Sequence, residues 1–151
     1  MSMTAKLARY FRDYDAYHAT RGNEVCHSIG IPLILVATLG LLALLKIGPL
    51  DAGLGLWMIA TFWYLTLDWK IAAPFSFFTL AGYFLGRAIP PVGLISIFVL
   101  GWVFQGVGHA LYEKRSPAFF QNFIHLLIGP LWIYGQISGI SRKNPSSSAQ
   151  K

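Results

Sequence analysis

Apolar and polar positions follow each other along this chain in long blocks that have the spacing of helices. In residues 2–20, Leu7, Tyr10, Phe11 and Tyr14 recur three and four positions apart among basic residues. This spacing predicts an amphipathic helix. Basic, aromatic helices of this kind are typical of segments that lie along a membrane surface.

Five uncharged apolar blocks follow, at residues 29–45, 52–67, 71–86, 88–112 and 116–141. Pro32 is predicted to lie in the first turn of the first block, where a helix tolerates proline. The second and third blocks are joined only by Asp68, Trp69 and Lys70, which predicts a tight helical hairpin. Both are shorter than the roughly 20 residues that cross hydrocarbon squarely, so a re-entrant hairpin is an alternative.

These blocks predict an all-α fold: a multi-pass membrane helical bundle of four to five apolar helices plus the N-terminal amphipathic helix. One domain covers residues 1–143, and the Ser-rich residues 144–151 are predicted to be a disordered polar tail. Hydrophobic residues make up 55% of the chain and charged residues 12%. Because soluble domains are roughly a quarter charged, much of this surface is expected to face lipid.

The net charge of +6 lies at the ends of the apolar blocks, where basic side chains reach lipid phosphates. It does not form the basic and aromatic stripe of a nucleic-acid groove, so we expect no nucleic-acid partner. The single cysteine, Cys26, excludes an internal disulfide, and the first 28 residues lack the uninterrupted apolar core of a signal peptide.

All four histidines lie at polar ends of the predicted helices. If the first four apolar helices cross in alternation, His18 and His27 precede the first crossing, and the chain returns to the same face at residues 109–115. His109 and His125 then lie on that face too. Basic residues are in excess there, so the positive-inside rule makes it cytoplasmic, in a bacterial inner membrane or the endoplasmic reticulum.

Polar residues within the fourth apolar helix strengthen this prediction. Gln105, His109 and Glu113 are spaced by four residues and would form one stripe. Since exposing such groups to lipid is costly, the stripe is expected to face the bundle interior.

The histidine cluster leaves three functions open. Imidazole is a good ligand for iron, zinc or copper, so three or four histidines on different segments can enclose one ion. Alternatively, the histidines anchor helices or bind lipid headgroups in a non-catalytic membrane protein. A haem held by two histidines is the third reading.

Two motifs favour the first reading. One is Tyr17-His18 followed by Asn23, His27 and Gly30-Ile31-Pro32. The other is GWVFQGVGH at residues 101–109, followed by Glu113-Lys114-Arg115 and Pro117-Ala118. Together, over about residues 10–137, they resemble the Mpo1-like family, once catalogued as a domain of unknown function.

The resemblance implies an Fe(II)-dependent, membrane-embedded dioxygenase that uses O2 to convert 2-hydroxy fatty acids to fatty acids one carbon shorter. It implies that His18, His27 and His109 bind the iron. At His125 the chain departs from the family pattern, so this residue is expected as a fourth metal ligand or a proton-transfer group. Glu113, Gln105 and Asn23 are expected to orient ligands or hydrogen-bond substrate. A homo-oligomer is left open.

Overall fold

A computed structural model describes residues 3–114 and 123–140, which form helices joined by turns and one short β-hairpin. The elements in chain order are α1 (Ala5–Asp15), α2 (Arg21–Leu42), β1 (Lys46–Ile47), β2 (Leu50–Asp51), α3 (Ala52–Ala88), α4 (Pro91–Val107), a π-helical segment (Gly108–Glu113) and α5 (Ile124–Ile137). The two strands pair antiparallel. The all-α class is confirmed. The predicted tail and the first residues of the predicted fifth helix, 116–122, lie outside the described ranges.

The central helix is α2, on which both α3 and α4 pack. It begins at Arg21 rather than near residue 29, so Pro32 lies in its interior, and the prediction of a first-turn proline is wrong. The first two turns are polar, but their side chains find partners in the folded chain. Ser28 donates to the carbonyl of Glu24, and Asn23 donates to Glu113. A pattern of apolar residues alone therefore places the start of this helix too late.

The predicted hairpin is present within α3. Asp68 has extended backbone angles, φ −161° and ψ 99°, between two helical halves, residues 52–67 and 69–88. The indole N–H of Trp57 donates to Thr79 Oγ1 at 3.1 Å, across 22 residues of sequence. A continuous helix would separate these residues by about 33 Å. The chain therefore reverses at Asp68, and the two halves of α3 lie side by side.

The amphipathic helix is confirmed as α1, but its apolar face does not lie against lipid. Leu7, Phe11 and Tyr14 are buried in the main hydrophobic cluster with residues of α3 and α5. At its start, the Thr4 main-chain N–H donates to Asp68 Oδ2 at 2.8 Å, which ties α1 to the turn in α3. The apolar face of α1 therefore packs against α3 and α5, and the helix covers one end of the bundle.

The outward faces of the long helices are apolar. Two helical stretches, Arg21–Leu42 and Pro91–Glu113, are long and apolar enough to cross a membrane. Many large apolar side chains on α3 and α4 are exposed, including Ile59 (71%), Phe62 (72%), Phe77 (75%) and Val92 (77%). Soluble monomers rarely expose such surfaces. The number of helices that cross stays a prediction.

Two glycines allow α2 and α4 to cross at close range. A Cβ added to Gly30 would meet the Gly101 carbonyl at 2.7 Å and Gln105 Nε2 at 2.5 Å. A Cβ added to Gly101 would meet Ile34 and the Gly30 carbonyl. Close backbone approach through small residues is how helices associate tightly in membranes. This crossing lies one helical turn from His27.

Adding a methyl group at this crossing should destabilise the protein. We expect Gly101→Ala to lower the free energy of unfolding by about 1–3 kcal/mol, because the added Cβ would meet Ile34 Cγ1 at 2.7 Å and the main-chain oxygen of Gly30 at 2.9 Å, and the latter cannot give way. Gly106→Ala is the matched control, since a Cβ there has nothing within 4 Å. Replacing a helical glycine by alanine at that open position should stabilise by up to about 1 kcal/mol. Thermal unfolding in detergent measures both, and equal effects would contradict the close crossing.

Candidate metal centre

Three histidines from three segments meet in the interior. His18 lies between α1 and α2, His27 lies on α2, and His109 lies in the π-helical segment. One ring nitrogen of each lies within 4.8 Å of the others. The residues are buried, with exposed fractions of 8%, 2% and 4%. The structure therefore brings together the three histidines for which the family resemblance implies iron binding.

Main-chain carbonyls fix the orientation of two of these rings. His18 Nδ1 donates to the Tyr14 carbonyl at 2.7 Å, and His27 Nδ1 donates to the Asn23 carbonyl at 3.0 Å. Each Nε2 is then left with a lone pair, and the two Nε2 atoms lie 3.1 Å apart. Such hydrogen bonds to the outer nitrogen are how proteins orient metal-binding histidines.

Two nitrogen lone pairs that face each other repel, and this arrangement is unfavourable unless a cation or a proton lies between them. Nitrogens that share one ion at about 2.1 Å lie roughly 3.0–3.4 Å apart, so the observed separation fits a metal. Burial lowers the pKa of His18 to about 4. At neutral pH this ring is therefore in the uncharged form that binds metals.

The third histidine owes its position to a π-helical turn. Gly108–Glu113 is π-helical, so the expected α-helical geometry ends before His109. The three side chains still face the bundle interior as predicted, since Gln105 and His109 are buried and Glu113 accepts from Asn23 of α2. Single π turns inside α-helices are frequent at functional sites. Gly108 lies against Asn23 Oδ1, and any side chain there would collide with it. Within the described chain, His109 Nδ1 is buried without a hydrogen-bond partner.

Glu113 and Asn23 lie beside the histidines and hold two segments together. Glu113 Oε1 accepts from the Thr20 N–H at 2.8 Å, the Thr20 hydroxyl at 3.0 Å and Asn23 Nδ2 at 3.2 Å. These bonds join the end of the π-helical segment to the start of α2. Thr20 was missed in the sequence, although its position before a polar helical turn is a signal for a helix cap.

His125 lies apart from the three clustered histidines. Its Nε2 donates to Asp13 Oδ2 at 2.8 Å, and its Nδ1 is buried with no partner in the residues that the structure covers. Its ring lies 5.4 Å from that of Tyr17. Asp13 had no role in the sequence analysis, because nothing in its spacing connects it to α5. Whether His125 is a ligand or a proton-transfer group stays a prediction.

All four histidines line one cavity of about 320 Å³. They lie together with Gln105 at one end, and Gln105 Nε2 has no hydrogen-bond partner among the residues described. Away from the histidines the walls are mostly apolar and come from α2, α3, α4 and α5. The cavity therefore has a polar end with nitrogen donors and a long apolar body.

Comparison with known proteins gives the following matches. The family described as 2-hydroxy-palmitic acid dioxygenase Mpo1-like matches residues 4–140. The 2-hydroxy-palmitic acid dioxygenase MPO1 of Saccharomyces cerevisiae is 29% identical over 126 residues, which is 80% of this chain and 72% of the yeast protein. No solved structure matches the chain.

The geometry of the three histidines predicts how metal binding responds to mutation. We expect His18→Ala, His27→Ala and His109→Ala each to weaken the binding of one divalent ion by at least about 10–100-fold. Losing a residue that only hydrogen-bonds a metal ligand typically costs that much, and losing the ligand itself should cost no less. His125→Ala should keep the ion, because its Nε2 is engaged by Asp13. Metal content after anaerobic loading measures this. Loss of the ion from the His125 variant would instead make His125 a fourth ligand.

Proposed function

This chain belongs to the Mpo1-like family, and we propose that it is an Fe(II)-dependent dioxygenase that converts 2-hydroxy fatty acids into fatty acids one carbon shorter. The observation that carries the proposal is the cluster of three buried histidines at the polar end of an apolar cavity. A 2-hydroxy fatty acid has the matching shape. Its carboxylate and hydroxyl suit the polar end, and its alkyl tail suits the apolar body.

His18, His27 and His109 are proposed to hold the iron. Imidazole suits iron among the first-row metals, and three protein ligands leave positions open on the ion. When bound, iron supplies the one-electron chemistry through which O2 reacts with organic substrates. His18 and His27 would not fit a haem held between them, because their Nε2 atoms lie 3.1 Å apart and leave no room for a porphyrin.

The surrounding residues position the reactants. The carbonyls of Tyr14 and Asn23 hold the two imidazoles, and Glu113 holds the π-helical segment that carries His109. The free Gln105 Nε2 is proposed to donate to the substrate carboxylate or hydroxyl, since a buried donor without a partner is otherwise unfavourable. The apolar walls exclude water from the tail.

A location in the membrane follows from the same proposal. The apolar exterior of α3 and α4 and the two membrane-length helices support an integral protein, in which a lipid substrate can reach the cavity from the bilayer. The histidine end lies beside the basic helix α1, which carries Lys6, Arg9 and Arg12. By the positive-inside rule we place this end on the cytoplasmic side.

The activity itself is directly testable. Anaerobically purified protein should contain one iron per chain and no Soret band, and with O2 it should convert 2-hydroxypalmitate to the acid one carbon shorter. His109→Ala should lose both the iron and the conversion. Turnover retained by a folded His109→Ala protein would contradict the proposed iron-dependent activity. A Soret band would favour the haem reading, and protein that is metal-free after iron loading would favour the non-catalytic one.

Gln105 offers a second test, of substrate positioning. Gln105→Leu should lower kcat/KM about 10–100-fold, because a hydrogen bond to a charged group contributes roughly 1.5–3 kcal/mol. Iron content should stay unchanged, since the three histidines remain. Gln136→Leu is the control: this glutamine lies near the end of α5 and does not line the cavity. Equal kinetics for the two variants would exclude the proposed contact.

A further inference from the structure

The cavity continues far beyond the histidines. On α2 its lining runs from His27 through Ile31 and Leu35 to Leu39, which are four residues apart and share one face of the helix. Since a helix rises 1.5 Å per residue, the twelve residues from His27 to Leu39 span about 18 Å. On the opposite wall the lining runs from His109 in the π-helical segment back to Phe98 on α4, over a similar number of residues. The cavity is thus long enough to have a distinct far end.

That far end is lined by Leu39, Trp57 and Thr79. The indole N–H of Trp57 donates to Thr79 Oγ1 at 3.1 Å and to the Ser76 carbonyl at 3.2 Å. These bonds hold the ring between the two halves of α3. Because its only polar atom is already paired, Trp57 can present only ring carbons to a ligand.

Packed protein lies behind this end. Leu39, Ala43 and Tyr83 form a second buried cluster, against which Trp57 and Leu54 also pack. Leu39 is 4% exposed and Thr79 is 5% exposed. Since packed interiors resist compression, the far end does not yield readily to a longer ligand.

We propose that Trp57 sets the upper limit on the length of the acyl chain. This inference rests on the proposed function, since it takes the ligand to be a fatty acid whose head lies at the histidines. An extended alkyl chain advances roughly 1.3 Å per carbon, given carbon–carbon bonds of about 1.5 Å at tetrahedral angles. About 18 Å of cavity therefore holds about fourteen carbons beyond the head group, and the methyl end of a longer chain meets the Trp57 ring.

The test compares variants on saturated 2-hydroxy acids that differ in length by two carbons. Trp57→Ala should increase the length of the longest acid that is turned over efficiently by at least two carbons. Its kcat/KM for the acid just beyond the wild-type limit should rise about tenfold or more, since burying each added methylene contributes roughly a factor of four. Trp57→Phe keeps a ring and should move the limit less.

Two further variants complete the design. Thr38→Phe adds bulk one residue before Leu39 on the cavity wall and should move the limit toward shorter acids. If Trp57→Ala does not fold, the length profile of Thr38→Phe still tests the proposal. Trp69→Ala removes a tryptophan from the same helix that is 65% exposed and does not line the cavity, so the length profile should not change. An unchanged profile in folded Trp57→Ala and Thr38→Phe would overturn the proposal and would mean that the tail leaves the cavity sideways.

A measurement without turnover separates this inference from the proposed function. A long-chain fatty acid carrying a diazirine at its terminal carbon is bound and irradiated, and the labelled peptides are identified by mass spectrometry. Labelling around Leu39 and Trp57 supports the length limit even if no acid is turned over, in which case only the proposed reaction fails. Labelling confined to residues outside the cavity overturns the limit whatever the activity.

Discussion

Two imidazole nitrogens with facing lone pairs, 3.1 Å apart in a buried space, are the constraint on which this structure depends. Desolvated acceptors of this kind are unfavourable unless a donor or a cation compensates them. The fold nevertheless fixes both rings in this arrangement, through the carbonyls of Tyr14 and Asn23. A metal ion with imidazole ligands would compensate both nitrogens at once, and the arrangement of the rings fits such an ion.

The rest of the architecture brings a third nitrogen to that pair. α2 and α4 cross closely at Gly30 and Gly101, and the π-helical turn then carries His109 toward His27. Glu113 joins the end of this turn to the start of α2 through three hydrogen bonds to one oxygen. The site is therefore built on helices and their junctions, and packing between these elements holds the three rings in position.

Features of the fold and the site that depend on residues close together in sequence could be predicted. The hairpin at Asp68 followed from two apolar blocks with three polar or aromatic residues between them, and the three histidines followed from motif and spacing. The start of α2 did not follow, because its polar turns are satisfied by residues distant in sequence, such as Glu113. The π-helical turn has no distinct composition, and the pairing of His125 with Asp13 spans 112 residues. Apolar periodicity also could not distinguish protein from lipid, so α1 was expected to face the membrane and instead packs on the bundle.

The polarity of α2 along its length connects the two ends of the site. Its first two turns carry Asn23 and His27, while its last turns carry Leu35, Thr38 and Leu39 on the cavity face. One helix therefore fixes both the position of His27 and the distance from it to the far end of the cavity. Because a helix resists stretching, that distance is set by the number of residues between His27 and Leu39. Under the proposed function, the head of a fatty acid would lie at the histidines and its tail at the far end. A chain too long for the cavity would then displace the reacting carbon at the head as well as lose contact at the tail.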